Sequence, residues 1–221
     1  MRIKEIHLLT PRLEAIKTFY SQQLGLEIIR ETQNSITFLS GSNSITFTKT
    51  DQKTYPYHFA FNIPSGSVRE CYAFFHDKLD FIPNVEDENL QPPVYDFSGW
   101  KAEALYFFDP DQNILEFIAR NPIEQKLEGT FGFKDVLYIS EMGIVNDGCF
   151  DYAKGIKEKY GLDDFIRSKG RDDFYAMGDD EGLLILVKND RIWYATDFPA
   201  KKQYSRIVFE HQGKTHEIIT G

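Results

Sequence analysis

In Tyr106-Phe107-Phe108-Asp109-Pro110-Asp111-Gln112-Asn113-Ile114-Leu115-Glu116-Phe117, two apolar runs flank five residues suited to a turn. Asp and Asn side chains bond their own backbone a residue or two on, and Pro presets φ. The run therefore predicts a hairpin with strands at Ala104–Phe108 and Ile114–Ala119. Glu116 is the one charge in its strand, and the period of two sets it on the same face as Ile114 and Ile118.

Working outward, the same kind of pattern recurs. Upstream, Tyr57–Ile63 alternates like a strand, and Val68, Cys71, Tyr72, Phe75 and Leu79 form one side of a helix from about Ser67 to Lys78. Residues 80–100, with Glu86–Glu88 and Pro92–Pro93, predict an exposed loop before the hairpin. The first fifty residues read β-α-β-β-β. A strand over Arg2–Thr10 precedes a helix with Leu13, Ile16, Phe19, Tyr20 and Leu24 on one face, stopped by Gly25. Short strands follow at Glu27–Arg30, Ser35–Leu39 and Ser44–Lys49.

A third return begins near Val136. Ile139-Ser140-Glu141-Met142-Gly143-Ile144-Val145 matches Ile3-Lys4-Glu5-Ile6-His7-Leu8-Leu9 in layout, and Gly178 repeats Gly41. The offsets agree, 141 − 5 = 136 and 178 − 41 = 137, as an internal repeat requires. The expected fold is α+β: paired βαβββ units (1–50 and 55–120) forming a half-open barrel, a linker at 121–133, and a divergent third βαβββ-like unit over 134–221 with a C-terminal hairpin.

Two such units side by side enclose a cleft. Into it the first strands would point Glu5, His7 and Leu9, and His58, Ala60 and Asn62. The last strands would add Ser44, Thr46 and Thr48, and Ile114, Glu116 and Ile118. The chain has 221 residues and a formal net charge of −9, which argues against a broad nucleic-acid or anionic-membrane surface. No apolar stretch approaches the roughly 20 residues that span a bilayer. Cys71 and Cys149 show no CxxC spacing, so no disulfide framework is expected. A soluble cytoplasmic protein is the default expectation.

The hairpin resembles the aromatic-DPDGN-apolar-Glu segment of the vicinal-oxygen-chelate superfamily of glyoxalases, bleomycin-resistance proteins and extradiol dioxygenases, with Gln112 in place of the usual Gly. Leu13 through Phe19-Tyr20 to Leu24-Gly25-Leu26 and His58-Phe59-Ala60-Phe61 are similar to its first helix and to the opening of its second unit. The resemblance implies a divalent metal on the first and last strands. Carried over by position, the ligands are His58, Glu116 and Glu5, while Thr46 occupies the remaining place. One imidazole and two carboxylates suit Mn, Fe, Zn or Ni and do not choose among them.

Glu116 and His7 are then the expected catalytic groups, and Thr46, Asn62, Tyr95 and Trp100 the expected substrate contacts. Glu141 repeats Glu5, but without a histidine after it the third unit is not expected to form a second metal site. That unit needs a partner for its sheet edge, whether the C-terminal hairpin, the first domain or another subunit in a homodimer.

Two functions follow from the resemblance. One is a metal-dependent glyoxalase- or dioxygenase-like enzyme, a lyase, isomerase or ring-cleaving dioxygenase, acting on a small oxygenated or aromatic metabolite. The other is a metal-free protein that sequesters a planar or cationic small molecule, as bleomycin-resistance proteins do, with its acidity attracting the ligand and Trp100 or Tyr95 stacking on it.

Overall fold

The computed structural model describes residues 1–221. The chain runs β1 (Arg2–Thr10), α1 (Leu13–Thr18), β2 (Glu27–Glu31), β3 (Ser35–Ser40) and β4 (Asn43–Lys49). It continues through β5 (His58–Ile63), α2 (Val68–Phe75), β6 (Tyr95–Phe97), β7 (Ala102–Phe108) and β8 (Ile114–Arg120). The last part is β9 (Tyr138–Asn146), α3 (Cys149–Tyr160), β10 (Phe174–Asp179), β11 (Gly182–Lys188), β12 (Ser205–His211) and β13 (Lys214–Thr220). No helix is long and apolar enough to cross a membrane.

The α+β class and the curled, repeated units are as expected; the partnering of the units is drawn differently. One sheet has the order β13-β12-β1-β4-β3-β2 and the other β10-β11-β9-β5-β8-β7-β6. Residues 1–50 and 55–120 therefore do not share a barrel. The first unit joins the C-terminal hairpin, and the second joins the third through the antiparallel pair β5–β9. Of the three partners expected for the third unit, the C-terminal hairpin, the first domain or another subunit, it is the first domain that pairs with it, through β5 on β9. In each unit the first strand lies parallel to the last, β1 to β4, β5 to β8 and β9 to β11, which is the observed form of the repeat.

Burial follows the period of two. On β1, Ile6 and Leu8 are fully buried while Glu5, His7 and Leu9 are half-buried on the other face. One apolar core joins both sheets and the three helices. A second, around Tyr106, Ile114, Ile118, Ile185 and Trp193, lines the concavity of the seven-stranded sheet alone. The six-stranded sheet has no such lining. There the inner face presents half-buried polar groups such as Thr37 and Thr46, whose hydroxyls are 3.0 Å apart.

The DPDQN turn clamps the two halves together. Buried Asp109 accepts hydrogen bonds from Tyr20 Oη (2.9 Å), Asn113 Nδ2 (2.8 Å) and the amides of Asp111 (2.8 Å) and Asn113 (3.0 Å). Asp111 accepts from Thr10 (2.5 Å) and Arg12 (2.8 Å). Gln112 sits at φ 63°, which explains why glycine suits this position in similar hairpins. Asp109→Ala, which strips the buried Tyr20 hydroxyl of its acceptor, is expected to cost about 2–3 kcal/mol. Urea unfolding checks it; a loss below about 0.5 kcal/mol would mean that the clamp is not structural.

Candidate metal centre

Strand β5 opens with His58. Its Nδ1 lies 3.0 Å from the Ile114 carbonyl, so that nitrogen donates and Nε2 is left as the free, ligand-type nitrogen. Nε2 stands 3.7 Å from Glu116 Oε2 on the neighbouring β8 and 3.9 Å from Glu141 Oε2 on β9. All three side chains are buried, and their ligand atoms lie within 4.8 Å of one another.

A β-bulge aims the third ligand. Ala60 pairs with Glu141 but Phe61 pairs with Ile139, so Ser140 is the extra residue on β9. Bulges re-aim side chains in this way beside functional sites. Ile139 and Met142 therefore both enter the main core, and Glu141 turns towards His58. Behind it, Arg120 at the end of β8 is fully buried and bonds Glu141, while its Nε and Nη1 have no protein partner. The Phe165 ring lies 5.9 Å from its guanidinium.

The electrostatics are those of a crowded acidic pocket. Burial, and then repulsion from Glu141, push Glu116 up to about 8, against the pull of His58 and Arg120. Burial works to lower His58, but Glu141 and Glu116 outweigh it and the net shift is upward. Tyr106, opposite Glu116 in the β7–β8 register, is held far above the usual phenol range by burial and by the two carboxylates.

This donor set fits a divalent cation. Ligands about 2.1 Å from one ion lie roughly 3–3.5 Å apart, a few tenths of an ångström inside the spacings of 3.7 and 3.9 Å from His58 to the two carboxyl groups. A cation between the two buried carboxyl groups would relieve the repulsion that helps push Glu116 up.

The site floors a cavity of about 450 Å³, within the usual range for small-molecule sites. Trp100, Tyr106, Phe174, Trp193 and Tyr194 line it, and Arg167, Lys169, Arg171 and Arg191 are its cations. Trp193 lies 5.6 Å from the His58 ring, and its buried Nε1 has no protein partner. Gly143, where the repeat would place a histidine, makes room for it: a Cβ there would meet Trp193 at 2.8 Å.

Of the residues expected from sequence, His58, Glu116 and Trp100 meet at this cavity. The others stand elsewhere. Glu5 and His7 lie on the six-stranded sheet. Arg206 Nη1 is 3.0 Å from Glu5 Oε2 and 2.9 Å from His7 Nε2, and it holds the Glu5 carboxyl below its usual range. It is Glu141, not Glu5, that stands with His58 and Glu116, and His7 lies on the other sheet. Thr46 bonds Thr37 on that same sheet. Asn62 reaches the Tyr138 hydroxyl (3.3 Å), and Tyr95 packs behind the wall on Tyr106 with its hydroxyl on the Pro83 carbonyl (2.7 Å).

The two sheets nevertheless carry related constellations. A bulge at Lys4 repeats the one at Ser140, placing Glu5 where Glu141 stands on the other sheet. Arg206 faces His7 across β1–β12 as His58 lies against Gly143 across β9–β5. Arg206 also bonds Glu217 on β13. On the six-stranded sheet a guanidinium thus joins the carboxylates that could otherwise hold a cation.

The sequence model of the Glyoxalase/Bleomycin resistance protein/Dioxygenase superfamily matches residues 2–117. Among solved structures, a candidate dioxygenase from Bacillus subtilis subsp. subtilis str. 168 is 15% identical with TM-score 0.60, over 99% of this chain and 84% of that one. The V278E mutant of glyoxalase I from Zea mays is 14% identical with TM-score 0.58, over 90% of this chain and 70% of that one. At such identities the likeness is one of fold. None of the curated proteins matches this sequence.

Proposed function

The chain belongs to the Glyoxalase/Bleomycin resistance protein/Dioxygenase superfamily, and from that premise we propose that it is a divalent-metal-dependent enzyme acting on a small oxygenated molecule. One observation carries the reading: a buried imidazole and two buried carboxylates converge at the floor of a cavity of small-molecule size. His58, Glu116 and Glu141 would hold the ion. When bound there, the ion polarises a substrate oxygen and stabilises negative charge on it.

The rest is done by the chain's own groups. Arg120 fixes the Glu141 carboxylate from behind. The Tyr106 hydroxyl stays protonated and donates to Glu116 at the cavity wall. Trp193 Nε1 is a second donor in search of an acceptor. Glu116, pushed up to about 8 in the metal-free site, gives up its proton when it takes its place on the ion.

One imidazole with two carboxylates departs from the two-histidine, one-carboxylate set of non-haem iron oxygenases. Proton transfer, as in a lyase or isomerase, suits this set better than oxygen activation.

The test is metal uptake by chelator-stripped protein, with Mn²⁺, Fe²⁺, Zn²⁺ and Ni²⁺ titrated separately. One equivalent of metal should bind with release of at least one proton at pH 7, because Glu116 must ionise to ligate. Apparent affinity should then rise about tenfold per pH unit up to pH ~8. Absence of uptake with all four ions would overturn the proposal.

A further inference from the structure

The cavity has a buried end at His58, Glu116 and Glu141 and an exposed one at Lys169 and Arg171. The carboxylates that line it, Glu116 and Glu141, both belong to the metal centre, and its other charged groups are Arg167, Lys169, Arg171 and Arg191. Around these cations stand two partners. Asp180 pairs with Arg167, and Asp173 lies 2.9 Å from Arg171 and 3.3 Å from Arg191. Four cations against two carboxylates leave a surplus of two, and Lys169 has no ion pair. In a chain of net charge −9 this is a local reversal of sign.

The guanidinium groups are also braced. Arg167 lies over the Phe165 ring at 5.0 Å and Arg191 over Phe174 at 5.3 Å. Stacking of this kind limits the conformational freedom that anion binding would otherwise have to remove. Between the ends, the aromatic walls suit a flat body. The unpartnered Nε1 of Trp193 adds a donor for a ligand oxygen.

We propose that the molecule taken by this cavity is a planar, ring-containing anion, with oxygens towards His58, Glu116 and Glu141 and a carboxylate or phosphate towards Lys169, Arg171 and Arg191. This rests on the metal-site reading for its inner end and on the basic lining for its outer end.

Tryptophan fluorescence tests it, because both tryptophans of the chain, Trp100 and Trp193, line the cavity. Benzoate, phenyl phosphate and the uncharged isostere benzamide are titrated into the protein as purified and after metal stripping, with metal content measured on the same samples. At least one anion should bind about tenfold or more tighter than benzamide, equivalent to 1.4 kcal/mol. Whether benzoate or phenyl phosphate leads identifies the anionic group.

In the double variant Lys169→Ala/Arg171→Ala that preference should fall to about twofold, with benzamide binding unchanged. Benzamide binding as tightly as both anions, anions indifferent to the double variant, or no response to any probe would each overturn the inference. An anion preference kept by protein that takes up no metal would uphold the basic end while removing the metal reading.

Discussion

Replacing Arg120 by methionine is expected to destabilise the metal-free protein by about 3–5 kcal/mol, a large fraction of the stability of an ordinary domain. Arg120 is fully buried and pairs with Glu141, itself buried beside Glu116. Removing the cation leaves the buried Glu141 carboxylate without its guanidinium partner, and that is what costs, more than the lost hydrogen bond. The double variant Arg120→Met/Glu141→Leu should recover most of the loss, since neither partner is then left alone. Urea unfolding of the two single variants and the double in chelator completes the cycle. If Arg120→Met costs less than about 1 kcal/mol, the guanidinium is not what holds Glu141 in place.

The second large effect is on metal affinity. His58→Ala removes the only imidazole of the trio, and affinity should fall by more than the 10–100-fold typical of losing a partner behind a ligand. Glu5→Ala on the six-stranded sheet should leave affinity unchanged, because Glu5 is engaged by Arg206 and belongs to no three-ligand group. Calorimetric titration with Zn²⁺ or Mn²⁺ reads both. Equal losses in the two variants would mean that the metal binds across the sheets, an arrangement at odds with this fold.

Much of this was legible in the residues. The hairpin around Asp109–Asn113 and the strand–helix alternation are local patterns, and both reappear in the structure. The offset of 136 holds for β1 and β9, with bulges at Lys4 and Ser140, and becomes 183 − 44 = 139 at β4 and β11, where Ser44 and Leu183 pair with Glu5 and Glu141. His58 and Glu116 were legible for the same reason, since their strands are parallel neighbours within one unit.

Glu141 was not, because its place depends on which units pair. Periodicity says which way a side chain points on its own strand and nothing about which strand lies beside it. Glu5 and Glu141 are equivalent in the repeat, and only the β5–β9 pairing selects Glu141. The bulge at Ser140 also breaks the period of two where Glu141 is aimed. One available signal was a charged Glu141 within the apolar run Ile139–Val145, which called for a buried partner. Arg120 closes the strand that carries Glu116. The basic lining was hidden as well, because Arg167–Arg171 and Arg191 are separated in sequence and net charge averages them away.

Anomalous diffraction from crystals soaked in Mn²⁺ tests the central claim most directly. One strong peak per chain is expected, within bonding distance of His58 Nε2, Glu116 and Glu141 and abolished in His58→Ala. A peak between Glu5 and His7 on the other sheet, or no peak at either place, would contradict it.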